Sequence, residues 1–125
     1  MPLKTTYAEI AAYTTRDGSI IRELMHPEVH GNRRQSLAEA TVPVACRTRP
    51  HRHHRSEEIY HIVAGDGVMT LGDERLTVMG GDTLWIPPGT VHWIENTGTD
   101  PLKILCACSP PYSHSDTELV DPDPV

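Results

Sequence analysis

Short apolar runs, separated by turn-forming residues, follow one another along most of the chain. The runs are rich in β-branched residues, and Gly, Pro, Asn or Asp stands between them, which is the pattern of strands joined by turns. Turns spaced about eight to twelve residues apart are typical of an antiparallel sandwich or barrel. The predicted strands cover residues 20–24, 36–42, 44–48, 58–63, 68–71, 75–78, 83–86, 91–95 and 102–107.

The region before residue 36 is less regular. Thr6 and Glu9 have the Thr-x-x-Glu spacing of a capping box, so we expect a short helical turn near residues 6–12. His26 and His30 stand in loop-like sequence, where we expect solvated side chains.

The whole chain reads as one domain with three segments. We expect residues 1–35 to form an N-terminal strand and loop extension and residues 36–109 to form the barrel core. Residues 110–125 form an acidic, Pro-rich tail, which we expect to be extended and to fray over 120–125.

Composition narrows the partners and the compartment. With 125 residues and a net charge of -6, the chain fits one domain and has no general basic face for nucleic acid. No run of about 18 apolar residues predicts a membrane span, and no apolar signal segment follows Met1. The odd, sparse set of thiols favours the cytoplasm and packed side chains over disulfides. These thiols are Cys46, Cys106 and Cys108.

Arginines gather in the first half of the chain. They fit either a solvated surface or a site for an anionic small molecule. Arg47 and Arg49 are four and two positions before His51. All three side chains therefore face inward if one extended strand continues through Pro50. On that condition we expect both arginines to bind substrate. The clustered arginines are Arg33, Arg34, Arg47, Arg49, Arg52 and Arg55.

A histidine-rich tract precedes the predicted strand at 58–63. His51 and His53 share one face of an extended chain, and the next strand opens with Glu58. Imidazole and carboxylate groups that converge in this way suit a borderline or hard divalent metal. Taken alone, the tract fits an exposed His-rich segment equally well.

A second pattern farther along the chain decides between these two interpretations. Its spacing is Gly, five residues, Pro, one residue, Gly, two residues, His, three residues, Asn. Average residue frequencies give it a chance on the order of 10⁻⁷ per start position. Together with the upstream His-x-His, the pattern resembles the cupin superfamily. The residues of the pattern are Gly81, Pro87, Gly89, His92 and Asn96.

The first cupin motif is also present. His51 and His53 are followed by four residues, Glu58, six residues and Gly65, as in that family. Ala45 stands where the family has Gly, so we expect a different turn there. The short spacer between the two motifs is similar to that of small bacterial cupins. The resemblance implies an all-β, antiparallel double-sheet jelly roll.

The resemblance also implies a metal centre. The implied ligands are His51, His53, Glu58 and His92, holding one divalent transition metal (Fe, Mn, Ni, Zn or Cu). Glu57 is the alternative to Glu58, although its spacing to the following Gly is wrong by one residue.

The implied function is that of a small metalloenzyme. Its substrate would be a small oxygen-rich anion, a carboxylate or sugar derivative, and its chemistry that of a lyase, isomerase or dioxygenase. Tyr60 shares a face with Glu58 and is the candidate catalytic donor, or else a core aromatic. The alternative function is a non-catalytic metal-dependent binding or sensor module.

The resemblance finally implies a homodimer. Cupin jelly rolls pair through an outer sheet face, and the apolar residues Ile59, Val63 and Trp93 are predicted to point outward. His61 is expected on the same outer side.

Overall fold

Two antiparallel sheets face each other, as the sequence predicts. The structure is a computed structural model and describes residues 2–120. The six-stranded sheet has the order β1-β2-β3-β10-β5-β8, and the five-stranded sheet has the order β11-β4-β9-β6-β7. The strands are β1 (Tyr13–Thr14), β2 (Ile20–Met25), β3 (Ser36–Val42), β4 (His51–His53), β5 (Glu57–Ala64), β6 (Asp66–Leu71), β7 (Glu74–Met79), β8 (Thr83–Ile86), β9 (His92–Asn96), β10 (Leu102–Ser109) and β11 (Thr117–Leu119).

Helical structure is confined to three short pieces in the described part of the chain. They are a 3-10 turn at Tyr7–Glu9, the helix α1 at Pro27–His30 and a 3-10 turn at His114–Asp116. None of these helices is long and apolar enough to cross a membrane.

The core lies between the sheets and consists of the inward residues of alternating strands. On β5, Tyr60 and Ile62 are buried, whereas their neighbours Ile59 and His61 are exposed. Because each fully buried aliphatic side chain contributes about 1.5–3 kcal/mol, this alternation fixes the register of the strand. The largest fully buried side chains elsewhere in the core are Met69, Ile86, Ile94, Leu102 and Ile104.

The prediction of a strand at 44–48 is wrong. Cys46 N–H donates to Pro43 O in a turn, and only Arg47 forms a bridge, with Glu95. Ala45 has φ of 64° in this turn, in the left-handed region that favours glycine. The chain therefore adopts a glycine-like conformation at the position where the family has Gly.

The N-terminal region contains a helical turn, but the predicted capping box does not form, because the Thr6 side chain makes no capping hydrogen bond. The expectation of a solvated His26 is also wrong. His26 is buried, and its Nδ1 accepts from Glu28 N–H at the start of α1. Its Nε2 lies 2.7 Å from Tyr112 O, which only accepts, so His26 donates there and ties α1 to the tail. His30 Nδ1 in turn accepts from His26 N–H.

The C-terminal segment contributes a strand that the sequence pattern did not predict. Strand β11 pairs with β4, beside the histidine tract. Asp116, which precedes β11, is buried, and its carboxylate accepts from the backbone N–H groups of Arg55 and Ser56. Val120 N–H donates to Pro50 O, and the rest of the predicted frayed end, 120–125, lies outside the described residues. The three-segment division stays a prediction.

An apolar row crosses the outer face of the six-stranded sheet. In register, Leu37, Ala107, Ile59 and Trp85 stand side by side on four adjacent strands. Trp85 is 59% exposed, the same fraction as Met79 and more than Ile59 at 44%. Trp93, predicted on this face, is half-buried on β9 of the other sheet.

We propose that a second copy of the chain covers this row, because a two-fold axis lets one apolar row pack against itself. We expect the wild type to have twice the chain mass by light scattering at micromolar concentration, and Trp85→Glu to be monomeric. Leu76→Glu, which adds the same charge to a half-exposed site on the other sheet, should leave the mass unchanged. A monomeric wild type would contradict the proposal.

Candidate metal centre

Three imidazoles and one carboxylate meet between the two sheets. The ligand nitrogens of His51, His53 and His92 lie within 4.8 Å of one another, and all three residues are buried. Glu58 Oε1 lies 3.2 Å from His53 Nε2 and 3.5 Å from His92 Nε2. The histidine cluster is therefore able to hold a metal ion, with the carboxylate beside it.

Strand geometry brings these side chains together from three distant parts of the sequence. His51 and His53 are separated by one residue on β4, so both face inward while Arg52 between them is half-exposed. His92 lies directly opposite His51 in the β4–β9 pair. Gly89 N–H donates to His53 O (2.7 Å), which joins the turn before β9 to the histidine strand.

Backbone carbonyls orient two of the rings. His51 Nδ1 donates to Arg49 O (2.7 Å), and His92 Nδ1 donates to Thr90 O (2.9 Å). A carbonyl can only accept, so each of these Nδ1 atoms carries a proton. When the ring is neutral, its Nε2 lone pair is then free to bind a metal.

The third ring is oriented by the tail. Thr117, on β11, donates its hydroxyl proton to Ser113 O (2.8 Å). Its Oγ1 therefore accepts from His53 Nδ1, 2.9 Å away. The C-terminal segment thus takes part in building the site, and the sequence offered only a lone polar threonine as a signal.

Two buried atoms at the centre of the cluster show that its donor set fits a cation. Glu58 Oε1 and His92 Nε2 make no hydrogen bond of good geometry among residues 2–120, although Oε1 lies within ion-pair distance of His53 Nε2 and His92 Nε2. The other oxygen of Glu58 accepts from the Cys108 thiol (3.2 Å), whose pKa is raised by burial and by the Glu58 charge. Unpaired buried polar atoms are costly, and a divalent ion held by nitrogen and oxygen would satisfy both.

The protonation states agree with this assignment. Burial, together with the nearby His92, lowers the pKa of His51 to about 4, so its ring is neutral at neutral pH. Burial alone would raise the pKa of Glu58, but the facing rings of His53 and His92 outweigh it and hold that pKa low. The same contact raises the pKa of His53 against the effect of burial.

A small cavity opens beside the cluster. Its volume is about 50 Å³, and apolar side chains from both sheets, such as Ile94 and Ile104, line it. Tyr60 lines the cavity beside the cluster, with its ring 5.9 Å from that of His92. Tyr112, from the tail, packs edge-on against His53 at 5.7 Å.

Asp17 is a member of the site that sequence reasoning missed. Its Oδ2 lies 3.6 Å from His51 Nε2, and its side chain is 14% exposed. Its Oδ1 accepts from the Thr15 hydroxyl and from both the N–H and hydroxyl of Ser19, which fixes the carboxylate. Asp17 N-terminal to Gly18 in the sequence indicated only a turn.

Other predicted site residues lie elsewhere. Arg47 and Arg49 are exposed, while Thr48 between them is buried against the cavity, so the shared phase with His51 does not hold. Their substrate-binding role stays a prediction. Glu57, the alternative ligand, is exposed and accepts from Trp85 Nε1.

Metal content separates the assigned ligands from the rest of the histidine tract. We expect His51→Ala to abolish the binding of metal that co-purifies with the protein, because it removes one of three converging nitrogens. His54→Ala is the matched control, since His54 is exposed and pairs with Glu118. Elemental analysis of both folded variants tests this, and equal metal content in His51→Ala would contradict the assignment.

Metal affinity should also depend on pH. In metal-free protein His53 holds a second proton up to a pKa above 6.5, and a metal must displace that proton. As pH falls through that pKa, we expect the apparent affinity for Zn²⁺ to fall by up to about tenfold per pH unit. His51 adds nothing to this dependence near neutrality, because its pKa is about 4. Titrations between about pH 8 and pH 6 test this, and a constant affinity would contradict it.

Known proteins are similar to this chain in sequence. A family model described as a cupin domain matches residues 38–108. The uncharacterized protein MJ1618 of Methanocaldococcus jannaschii is 56% identical over 119 residues, which cover 95% of each chain. The oxalate-binding protein of Thermotoga maritima is 30% identical over 82 residues, covering 66% of this chain and 68% of that protein.

The fold likeness extends to a solved structure. The polyketide cyclase RemF from Streptomyces resistomycificus has a TM-score of 0.82 at 20% identity, covering 99% of this chain and 89% of that one. At this identity the likeness concerns the fold alone. With the family match, the two facing sheets and the histidine cluster all in agreement, the chain belongs to the cupin family.

Proposed function

We propose that this cupin is a metal-dependent enzyme that acts on a small oxygen-rich molecule, a carboxylate or a sugar derivative. Lyase, isomerase and dioxygenase chemistry are all compatible with the site. His51, His53, His92 and Glu58 would hold a divalent transition metal. That metal, when bound, would polarise a substrate oxygen as a Lewis acid.

The observation that carries the proposal is a pair of buried polar atoms that make no hydrogen bond in the described chain, Glu58 Oε1 and His92 Nε2. Glu58 lines the cavity together with His51 and His53. A purely structural cluster would be expected to satisfy its own polar atoms. Polar atoms that converge in a pocket and remain unpaired are instead typical of a site built for a ligand.

Two further side chains beside the cluster, those of Tyr60 and Asp17, support the proposal as candidates for handling protons. Burial, and then the charge of Glu58, raises the pKa of Tyr60 well above its usual value, so its hydroxyl stays protonated and can donate a hydrogen bond to substrate. Asp17 Oδ2, beside His51, is an acceptor whose orientation is already fixed. The chain therefore offers a donor and an acceptor on different sides of the histidine cluster.

The apolar wall supports the same proposal. Ile21, Ile94 and Ile104 line the cavity among its polar groups and limit the water around a bound substrate. Electrostatic interactions are stronger in such a low-dielectric space than in water.

The alternative is a binding module that holds a ligand without converting it. The relative from Thermotoga maritima is named an oxalate-binding protein, and oxalate is a small dicarboxylate that a metal can chelate. In that case Tyr60 would fix the orientation of the ligand and no bond would be made or broken.

Turnover by the metal-loaded protein distinguishes the enzyme from the binding module. In a panel of small carboxylates and sugar derivatives, assayed with and without dioxygen, we expect at least one metal-dependent product. Tyr60→Phe should keep its metal and lose about 10²-fold in kcat, as other enzymes do when one hydrogen-bond donor to the reacting oxygen is removed. Tyr7→Phe is the control, since the Tyr7 hydroxyl is exposed and donates to Glu39.

A panel in which ligands bind the metal-loaded protein and return unchanged would contradict the enzyme proposal and support the binding module. A Tyr60→Phe variant with unchanged kcat would contradict only the catalytic role of Tyr60.

A further inference from the structure

The cavity beside the histidine cluster is acidic, and none of its described lining residues is Lys or Arg. Three carboxylates contribute to its wall, those of Asp17, Glu23 and Glu58. Of these, Asp17 and Glu58 lie against the histidines, whereas Glu23 is on β2 and has no contact with them. Glu23 is thus the one acidic group of the cavity that the metal centre does not account for.

Glu23 has one oxygen fixed and one oxygen unpaired. Its Oε1 accepts from the Tyr13 hydroxyl at 2.8 Å. Burial, together with this hydrogen bond, raises the pKa of Tyr13, so the phenol remains a donor. Its Oε2 is buried and has no hydrogen-bond partner among the described residues. A buried carboxylate oxygen without a donor is destabilising, so it requires a donor from water or from a ligand.

The position of Glu23 also fits a ligand that enters from outside. A second, wider cavity of about 410 Å³ lies on the other side of Glu23 and Tyr112, and both residues line the two cavities. This outer cavity likewise has no Lys or Arg among its described lining residues. A molecule that passes from the outer cavity to the histidines therefore passes Glu23 and meets no cation on the way.

Glu23 and the histidine cluster line the same cavity from strands that are not neighbours. Strands β2 and β5 are three places apart in the sheet, and Glu23, Glu58, His51 and His53 all line the one cavity. A ligand in this cavity therefore lies between Glu23 and the cluster.

We propose that Glu23 is a recognition point for the end of the substrate remote from the histidine cluster, and that this end carries hydroxyl or ammonium donors and no second anionic group. The near end binds at the metal, so the inference rests on the proposed function for that half of the ligand. The apolar and acidic walls together select small hydroxy acids, amino acids or polyols over dianions of the same length.

Three probes of equal length test this. γ-Hydroxybutyrate, γ-aminobutyrate and succinate share a carboxylate head and a four-carbon chain, and differ at the far end. Each is titrated into Co²⁺-loaded protein, with the visible absorption of the metal as the readout. Because Glu23 would face a second carboxylate in a low-dielectric cavity, we expect succinate to bind at least about tenfold more weakly than the other two probes.

The variant Glu23→Gln removes the charge and keeps the shape. It should bind Co²⁺ with wild-type stoichiometry, weaken γ-aminobutyrate and bring the affinities for the three probes within about threefold of one another. Glu39→Gln is a matched control, because Glu39 also accepts from a tyrosine hydroxyl, that of Tyr7, and lies on the outer face of the neighbouring strand. It should behave as the wild type does.

The outcomes separate the two levels of the argument. The role of Glu23 is overturned, and the metal centre left intact, by either of two results. One is that succinate binds as tightly as the other probes, and the other is that Glu23→Gln behaves like Glu39→Gln. If none of the three probes changes the visible absorption of the Co²⁺-loaded wild type, the proposed function is overturned, and this inference with it.

Discussion

The structure depends on the burial of one carboxylate, that of Glu58, among three imidazoles. Transfer of such a charge out of water is costly unless opposite charge and hydrogen bonds compensate for it. Here the rings of His53 and His92 face one oxygen, and the Cys108 thiol donates to the other. Each ring is in turn held by a donor–acceptor contact at its Nδ1. Five strands of both sheets (β4, β5, β9, β10 and β11) supply these groups, so the sandwich must be complete before the charge is compensated.

Strand parity predicted the site well where the chain is regular. His51 and His53 face inward because alternate residues of an extended strand share a face, and the same rule places Glu58 and Tyr60 on β5. Parity failed across Pro50, where the chain is not a strand. There Thr48 and Pro50 are buried and the two arginines are exposed, whereas His51 and His53 are buried after the proline, so the alternation shifts by one residue between Pro50 and His51. A periodic rule holds only as far as the backbone conformation that produces it.

Contacts between residues far apart in sequence could not be predicted in this way. Thr117 hydrogen-bonds to His53 across 64 positions, and Asp116 caps the turn after β4 across a similar separation. The tail residues are polar and follow two prolines, a composition that favours a solvated extension. What holds the tail in place is a short antiparallel pairing with β4 and the buried Asp116 carboxylate. These are tertiary interactions, and a local pattern carries no information about them.

The charge of the cavity could not be predicted from local sequence patterns either, and it changes the kind of ligand expected there. Arginines that are neighbours of the histidines in sequence favoured an anionic ligand, yet Arg47 and Arg49 are exposed and do not line the cavity. The groups that line the cavity in their place come from the β1–β2 hairpin, Asp17 and Glu23, which are about thirty positions away in the chain. A metal bound by the histidines would therefore be the main positive charge that a ligand meets among the described residues. Such a field attracts one anionic head to the metal and disfavours a second anion elsewhere. Selectivity in this cavity then follows from the hairpin opposite the histidines, and the motif residues alone do not determine it.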